Sequence, residues 1–592
     1  MVPERSFSNA CRFASLASLL VVSGCGVFFP SGEKAPPPTS TGSVIHAVRA
    51  DSVGYISNRE KRVTIVLPAG MTSLQDTTAE VRDAATDNVV WSCTVTGPMT
   101  DGTTGTTVYV GDFTPFTTPG NYYIAVPGLM TSTGAAQSVT FPIAADAFRG
   151  VLVHAMLGLL GQRCGSSVNI SVDGSHWTHG VCHGSDASQK YLDGVLMDTI
   201  KPSLHGWHDA GDYGKYTTNG AFTVGMMLQA FERFQPLLSA LTLPVPESGG
   251  DLPDYLDEVK WELDWLLTTQ TDDGSVAFKV TALSFESLSV MPEKDGSRRF
   301  YTPVSTSATA DFAAVLAQAA RVYRPYDADL ADSYLAAARK AYDFLKANGL
   351  IKPDLTMFST GGYDGNSGDS DNRAWAAAEM WETTGEDAFL ADFEGATKTP
   401  KAIADNFDWD NVQNLGVFTY LLSARPGRDQ TMVDTMTASM LASANALATR
   451  ADAAPFGRAL TNYWWGSNGA IARTSMNLSV AAVLSPTDAP RYMDAIATQM
   501  DHLLGRNVYD RTQVTGVGYH PPIQPHHRPS ISDNTSNPWP GLLVGGPNPD
   551  ANTALPPGAT WKDSSDAYDL NEVAINWNGA LIYAAAALTP AP

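Results

Sequence analysis

Cysteine is scarce in these 592 residues: Cys11, Cys25, Cys93, Cys164 and Cys182 are all there is. Five are too few for a disulfide scaffold, so any that cluster need a local explanation. Positive charge is also short. Lysine and arginine number 38 against 61 aspartates and glutamates, a balance of −23. That sign argues against nucleic acid or an anionic membrane surface as the main partner and suits a neutral or cationic ligand. After the N-terminal segment, no stretch approaches the roughly 18 uninterrupted apolar residues of a membrane-spanning helix. What is present is 44% hydrophobic against 17% charged residues, a composition that excludes wholesale disorder and fills a large core.

The N-terminus reads as an export segment. Arg5 and Arg12 precede a short apolar run, Phe13 to Val22, too short to span a bilayer. Val22-Ser23-Gly24-Cys25 follows and resembles a bacterial lipobox, with residues 1–24 removed and Cys25 acylated; an ordinary signal peptide with an incidental cysteine is the alternative. Residues 25–43 are rich in Pro, Ser, Thr and Gly and read as a linker. Residues 44–145 alternate short β-prone runs with turns, as in Arg62–Leu67, Ala79–Arg82, Val89–Trp91, Thr107–Val110, Tyr122–Val126 and Ser138–Phe141. That spacing predicts an immunoglobulin-like β-sandwich.

From 146 to 592 the pattern turns helical. Leu256, Val259, Leu263 and Leu266 share a face behind Pro253, and Phe312, Leu316, Ala319 and Tyr323 repeat the spacing ahead of Pro325. About a dozen such segments joined by Gly-, Asp-, His- and Trp-rich loops suggest a mainly α fold, an α/α barrel. Periodicity alone does not separate that from an α-solenoid, although no fixed repeat is visible.

Three loops carry chemistry. In Trp207-His208-Asp209-Ala210-Gly211-Asp212, two carboxylates three residues apart with a flexible Gly between can converge on one water. An inverting glycosidase needs such a base; an Asx turn or helix cap is the plainer use of the same residues. In Asp569-Leu570-Asn571-Glu572-Val573-Ala574, Glu572 opens an apolar helix. Burial there would raise its pKa toward that of a general acid, whereas exposure in a first turn would lower it. In Pro525-His526-His527-Arg528, two imidazoles and a guanidinium suit sugar hydroxyls better than one metal ion, because adjacent histidines are awkward ligands.

Together these motifs resemble glycoside hydrolase family 9, the family of many endoglucanases. Trp465-Gly466-Ser467-Asn468, Leu503–Asn507 and Ser305–Thr309 extend the likeness across Ile45 to Leu588. The resemblance implies an (α/α)6 barrel behind a small Ig-like domain, and an inverting endo-β-1,4-glucanase. By carry-over Asp212 is the general base, Asp209 helps hold the water and Glu572 is the acid. Asp563 matches a further acidic position, and His526 and Arg528 match residues contacting the sugar. Trp465 and Tyr568 are assigned to substrate binding, and Trp375, Trp409 and Trp561 are further stacking candidates. His520, Gly579 and Asn372 depart from the pattern.

Cys164, Cys182, His183 and His208 form a complete tetrahedral zinc set, and their spacing is similar to a structural zinc site in the Ig-bearing branch of the family. A Cys164–Cys182 disulfide is the alternative, and His176, His179 and His205 are competing ligands. The loop from Asp364 to Asp371 is rich in oxygen ligands for calcium, or is simply solvated. Because the chain ends at Pro592 just after the last predicted helix, soluble glucans or cellodextrins are expected as substrates rather than crystalline cellulose. Exo-acting cleavage of cello- or glucosamine oligomers and glycan binding without turnover are the rival functions. A monomer is expected, with no nucleic-acid partner, exported and either lipid-anchored to a bacterial membrane or secreted.

Overall fold

The computed structural model describes residues 45–592 apart from 133, 185, 186, 193, 194, 362, 364–367, 399–401 and 534. Cys25, the export segment, the linker and half of the acidic loop predicted for calcium (364–367) lie outside the described residues.

Nine strands form the N-terminal unit: β1 (Val48–Arg49), β2 (Tyr55–Ile56), β3 (Arg62–Val66), β4 (Thr78–Asp83), β5 (Val89–Thr100), β6 (Thr107–Asp112), β7 (Gly120–Thr131), β8 (Gly134–Gln137) and β9 (Phe141–Ala144). They run in the order β1-β3-β6-β5-β4-β7-β9-β2, with β8 on β7. Period-two burial follows from the pleat: Ala79 and Val81 of β4 are buried while Thr78, Glu80 and Arg82 are not. β5 and β7 run further than their hydrophobic patterns suggest, because each pairs with different neighbours along its length. Tyr55, Phe113 and Phe141 meet edge-on at the centre, the geometry that aromatic quadrupoles favour.

Among the described residues twelve longer helices follow, and they form two rings. The apolar inner ring comprises Thr217–Leu238, Thr306–Tyr323, Ser370–Thr384, Gln413–Leu422, Ser467–Leu484 and Ile575–Leu588. The outer ring comprises Arg149–Gly161, Asp254–Thr269, Ala328–Ala347, Asp387–Ala396, Gln430–Ala453 and Ala489–Leu503. Inner and outer helices alternate along the chain, and the last inner helix packs against the first, which makes an (α/α)6 barrel. The amphipathic outer helix Ala328–Ala347 buries Ala331, Tyr334, Ala338, Ala341 and Leu345, the stripe expected of a helix with one wet face. Leu256, Val259, Leu263, Leu266, Phe312, Leu316, Ala319 and Tyr323 are fully buried. Asp254–Thr269 starts directly after Pro253, and Thr306–Tyr323 stops two residues before Pro325.

The barrel loops are not all irregular. Lys215–Tyr216, Lys279–Ala282 and Arg299–Tyr301 join Ala187–Leu192 and Val195–Pro202 in a five-stranded sheet, a feature absent from the helical expectation for this region. Three of these strands span only two to four residues, so their alternation is too brief to read. The two units dock through polar contacts: Ser52 N–H donates to Leu504 O at 3.1 Å, and Arg506 Nε donates to Thr64 Oγ1 at 3.1 Å.

Candidate active site

The loop carrying Asp209 and Asp212 is stapled at its start to the end of the first outer helix. Cys164 N–H donates to Gly206 O at 2.8 Å and His208 N–H to Gln162 O at 2.7 Å. It then turns back on itself, with Asp209 N–H on Gly214 O at 2.9 Å. Gly211 lies against the loop of His526: a β-carbon at 211 would stand 2.2 Å from His526 O. The flexible residue between the two aspartates is therefore a demand of close backbone approach.

The two aspartates differ in what their oxygens do. Asp209 is buried and fully engaged, with Oδ1 accepting from Asn219 Nδ2 at 2.7 Å and Oδ2 from the Tyr363 hydroxyl at 2.9 Å. Burial and the neighbouring Asp212 charge push its pKa well above the usual carboxylate range, against those two donors. Asp212 uses only Oδ2, which accepts from the Tyr216 hydroxyl at 2.7 Å and from Gly214 N–H at 3.1 Å. Among the described residues its Oδ1 has no hydrogen-bond partner, and it keeps some access to solvent.

Glu572 does not open a helix. It sits in extended conformation between the short turn Tyr568–Asn571 and the helix that begins at Ile575. Gly545 N–H donates to its carbonyl at 2.8 Å and His526 N–H to that of Asn571 at 2.8 Å, so the segment is clamped between two loops. The dipole of a first helical turn therefore does not govern its carboxyl. Burial, then the charges of Asp212 and Asp209, raise that pKa well above the usual range, while part of the residue stays accessible.

The histidines divide. His526 donates from Nδ1 to Ser565 O at 2.6 Å, and burial pulls its pKa down, so a neutral ring carries its lone pair on Nε2. His527 is buried between Ser530 Oγ at 2.8 Å and Gln162 Oε1 at 3.0 Å; it locks the loop and is not presented to a ligand. Arg528 donates to Gly211 O at 2.7 Å and Glu286 O at 3.0 Å, and pairs with the Glu286 carboxylate at 2.6 Å. Asp563 receives Arg511 Nη2 at 2.7 Å, Ile523 N–H and Gln524 N–H at 2.9 Å and Asn571 Nδ2 at 3.0 Å. Four donors on two oxygens leave it holding the His526 loop to the Glu572 segment.

Beside them Trp465 is 43% and Tyr568 52% exposed, with ring centroids 5.3 Å apart, and Tyr568 lies 6.1 Å from the His526 ring. Exposed rings beside a polar site have the shape and chemistry to stack on sugar faces. Trp375 and Trp561 are buried and cannot stack on a ligand; Trp409 is half-buried with Tyr363 edge-on to it at 4.6 Å. Sequence reasoning missed Asn219, Tyr216, Tyr363, Lys279 and Glu286. Tyr216 and Asn219 follow closely on the aspartate motif but nothing in it assigns them a partner, and what gives Tyr363 its place is an aspartate 154 residues away.

The predicted metal set converges. Cys164, Cys182, His183 and His208 offer ligand atoms within 4.8 Å of one another, and both cysteines are free thiols. Cys164 Sγ to His183 Nδ1 is 3.4 Å, Cys182 Sγ to His208 Nε2 is 3.8 Å and His208 Nε2 to His183 Nδ1 is 3.5 Å. Tetrahedral zinc with Zn–S of about 2.3 Å and Zn–N of about 2.0–2.1 Å spaces S from N by about 3.6 Å and N from N by about 3.3 Å, so the donor set fits. The cysteine pair is asymmetric: hydrogen bonding from Cys182 holds the Cys164 thiol well below its ordinary value. His183 Nε2 meets Asp295 Oδ2 at 3.1 Å, the carboxylate partner that orients a ligand imidazole. His176 binds Ser171 Oγ, His179 binds Gly180 O and His205 stacks on Trp261; none joins the group.

The family profile described as glycosyl hydrolase family 9 matches residues 148–585, and that of a cellulase N-terminal Ig-like domain matches residues 44–131. The chain belongs to glycosyl hydrolase family 9. It is 43% identical to endoglucanase D of Acetivibrio thermocellus over 91% of this chain and 83% of that one. It is 32% identical to a xyloglucan-specific endo-β-1,4-glucanase of Bacteroides ovatus over 92% and 93%. Among solved structures, a metagenome-derived family 9 endoglucanase superposes with a TM-score of 0.83 at 33% identity, over 91% of this chain and 98% of that one. A Zn-binding triple mutant of family 9 endoglucanase J30 superposes with a TM-score of 0.83 at 30% identity, over 91% and 100%.

Proposed function

We propose that the protein hydrolyses β-1,4-glucan chains internally, by single displacement with inversion. The observation that carries the assignment of roles is the difference between the carboxyls. Asp212 alone of the two aspartates presents an open oxygen, Oδ1, and is the base that takes a proton from water. Asp209, with both oxygens occupied, orients that water and the base. Glu572, kept protonated by burial and by its two acidic neighbours, donates to the departing glycosidic oxygen, as an inverting pair of carboxyls requires. His526 offers its Nε2 lone pair to a sugar hydroxyl. Arg528 and Asp563 act through the loops they hold, and Trp465 with Tyr568 supports the glucan.

Zinc at Cys164, Cys182, His183 and His208 would be structural, since four protein ligands leave no open position. Bound there, it supplies a rigid cross-link between the end of the first outer helix and the catalytic loop, because His208 adjoins Asp209. Export with a lipid anchor at Cys25 is proposed on the N-terminal sequence; among the described residues no helix is long and apolar enough to cross a membrane.

The test is the product distribution from carboxymethylcellulose and cellohexaose, comparing wild type with Glu572→Gln. Mixed oligomers with an early fall in viscosity, abolished in the variant, are expected. Stepwise release of glucose or cellobiose would overturn internal cleavage, and full turnover by Glu572→Gln would overturn the acid.

A further inference from the structure

Three carboxyl groups, Asp209, Asp212 and Glu572, share this site; the Asp212 charge makes Asp209 harder to ionise, and both aspartates do the same to Glu572. A base must nevertheless be a carboxylate at working pH. The nearby Arg528 is committed to Glu286. Among the described residues Lys279 forms no ion pair with a carboxylate. It stands on the strand Lys279–Ala282, paired through Tyr216 with the strand Lys215–Tyr216, and is 1% exposed. Its ammonium donates to Thr360 O at 2.6 Å and lies over the Tyr216 ring, 5.2 Å from its centroid. The hydroxyl of that same ring donates to Asp212 Oδ2. A fully buried ammonium with one carbonyl partner is costly to fold around unless nearby negative charge compensates it.

We propose that Lys279 is a positioning residue for the base: its buried ammonium sets a positive charge beside the aspartate pair, and its contact with Tyr216 steadies the hydroxyl that orients the Asp212 carboxylate. The inference rests on Asp212 being the base. Burial pulls the Lys279 pKa down to about 8, with Asp212 and Asp209 opposing, so the side chain stays cationic through the acidic and neutral range. The other groups acting on the base are Tyr216 on the paired strand, Asp209 in the same loop, Glu572 on the C-terminal segment, His526 and Arg528 on the 525–528 loop and Glu286 beyond the Lys279 strand. Of these, Arg528 is cationic but neutralised, and His526 is held neutral by burial.

The experiment is the pH profile of kcat/KM on cellohexaose for wild type, Lys279→Gln and Lys279→Arg. Glutamine keeps a donor for Thr360 and removes the charge. The expected result is a loss of about 10-fold or more near the acidic limb, with that limb displaced upward by about 1 pH unit, and recovery of its wild-type position in Lys279→Arg. If the glutamine variant does not fold, Lys279→Met carries the same expectation. An unmoved acidic limb in a folded, charge-free variant would overturn the inference, as would an arginine variant whose limb moves as far as the glutamine one. Asp212→Asn, assayed alongside, separates the two levels. Wild-type turnover there would sink the base assignment itself, whereas a dead Asp212→Asn with an unmoved Lys279→Gln limb would sink only the role of Lys279.

Discussion

The rings of Tyr216 and Tyr363 stand with centroids 4.7 Å apart, and each gives its hydroxyl hydrogen to a different aspartate of the site, Asp212 at 2.7 Å and Asp209 at 2.9 Å. The pair fixes two neighbouring carboxylates in different orientations, leaving one oxygen of Asp212 for water.

Removing the base and removing its helper should therefore differ in degree. Asp212→Asn is expected to lower kcat by about 10³–10⁴-fold, within the range of a lost general base, including on substrates with good leaving groups that no longer need an acid. Asp209→Asn, which keeps the shape and both contacts in altered form, should lose less. Steady-state kinetics on cellohexaose and on an activated aryl cellobioside decide this, and equal losses would merge the two roles.

Tyr216→Phe deletes one hydrogen bond to a carboxylate, worth about 1.5–3 kcal/mol. We expect kcat to fall by roughly 10–100-fold with KM little changed, because the hydroxyl touches the base and not the sugar. A rise in KM with kcat intact would place Tyr216 in substrate binding instead.

The Glu572 pKa is raised in the folded protein, and the sign carries two consequences. Activity needs the protonated acid, so kcat should persist above the ordinary Glu value of about 4.3 and fall as pH rises through the folded pKa. A group that holds its proton more tightly when folded favours folding below its unfolded pKa, and that contribution is lost as pH rises through the folded one. Glu572→Gln, which never ionises, should melt higher than wild type at pH 7–8 and show little gain near pH 4. Thermal melts across pH check it; equal melting temperatures at pH 7–8 would count against a buried acid.

Metal removal should act on both stability and turnover. Chelation or Cys164→Ser is expected to abolish stoichiometric zinc by elemental analysis, lower the melting temperature and reduce kcat, since His208 immediately precedes Asp209. Unchanged metal content in Cys164→Ser would refute the ligand set.

Trp465→Ala and Tyr568→Ala should raise KM by about 3–10-fold each, the scale of an aromatic contact worth about 0.5–1.5 kcal/mol, while leaving kcat on short substrates nearly intact.

Much was legible from local pattern. The helix behind Pro253, the one ahead of Pro325 and the β-rich first unit rest on short-range spacing, which burial then follows, and the two cysteines and two histidines named from residue type do converge. Glu572 is instructive in the other direction: the apolar run after it reads as a helix beginning at the glutamate, whereas the helix begins three residues later because the backbone of 571–573 is drawn into contacts with the 526 and 545 loops. His527 and Trp561 illustrate the same limit. Nothing in the motif separates a presented imidazole or indole from a buried one.

The sequence by itself determined the inventory: an acidic chain with Asp209, Asp212 and Glu572 in family 9 motifs, a helical barrel behind a β-sandwich, and a two-cysteine, two-histidine ligand set. Only the tertiary structure decided how each carboxyl is engaged. It occupied both oxygens of Asp209 and left one of Asp212 free among the described residues, spent Asp563 on four donors, and set a buried lysine against the Tyr216 ring. The physical reason is that residue type and periodicity are local properties, whereas desolvation and hydrogen-bond satisfaction depend on groups brought together from far apart in the chain, as with Thr217 and Phe278 at the sheet or Asp209 and Tyr363 at the site.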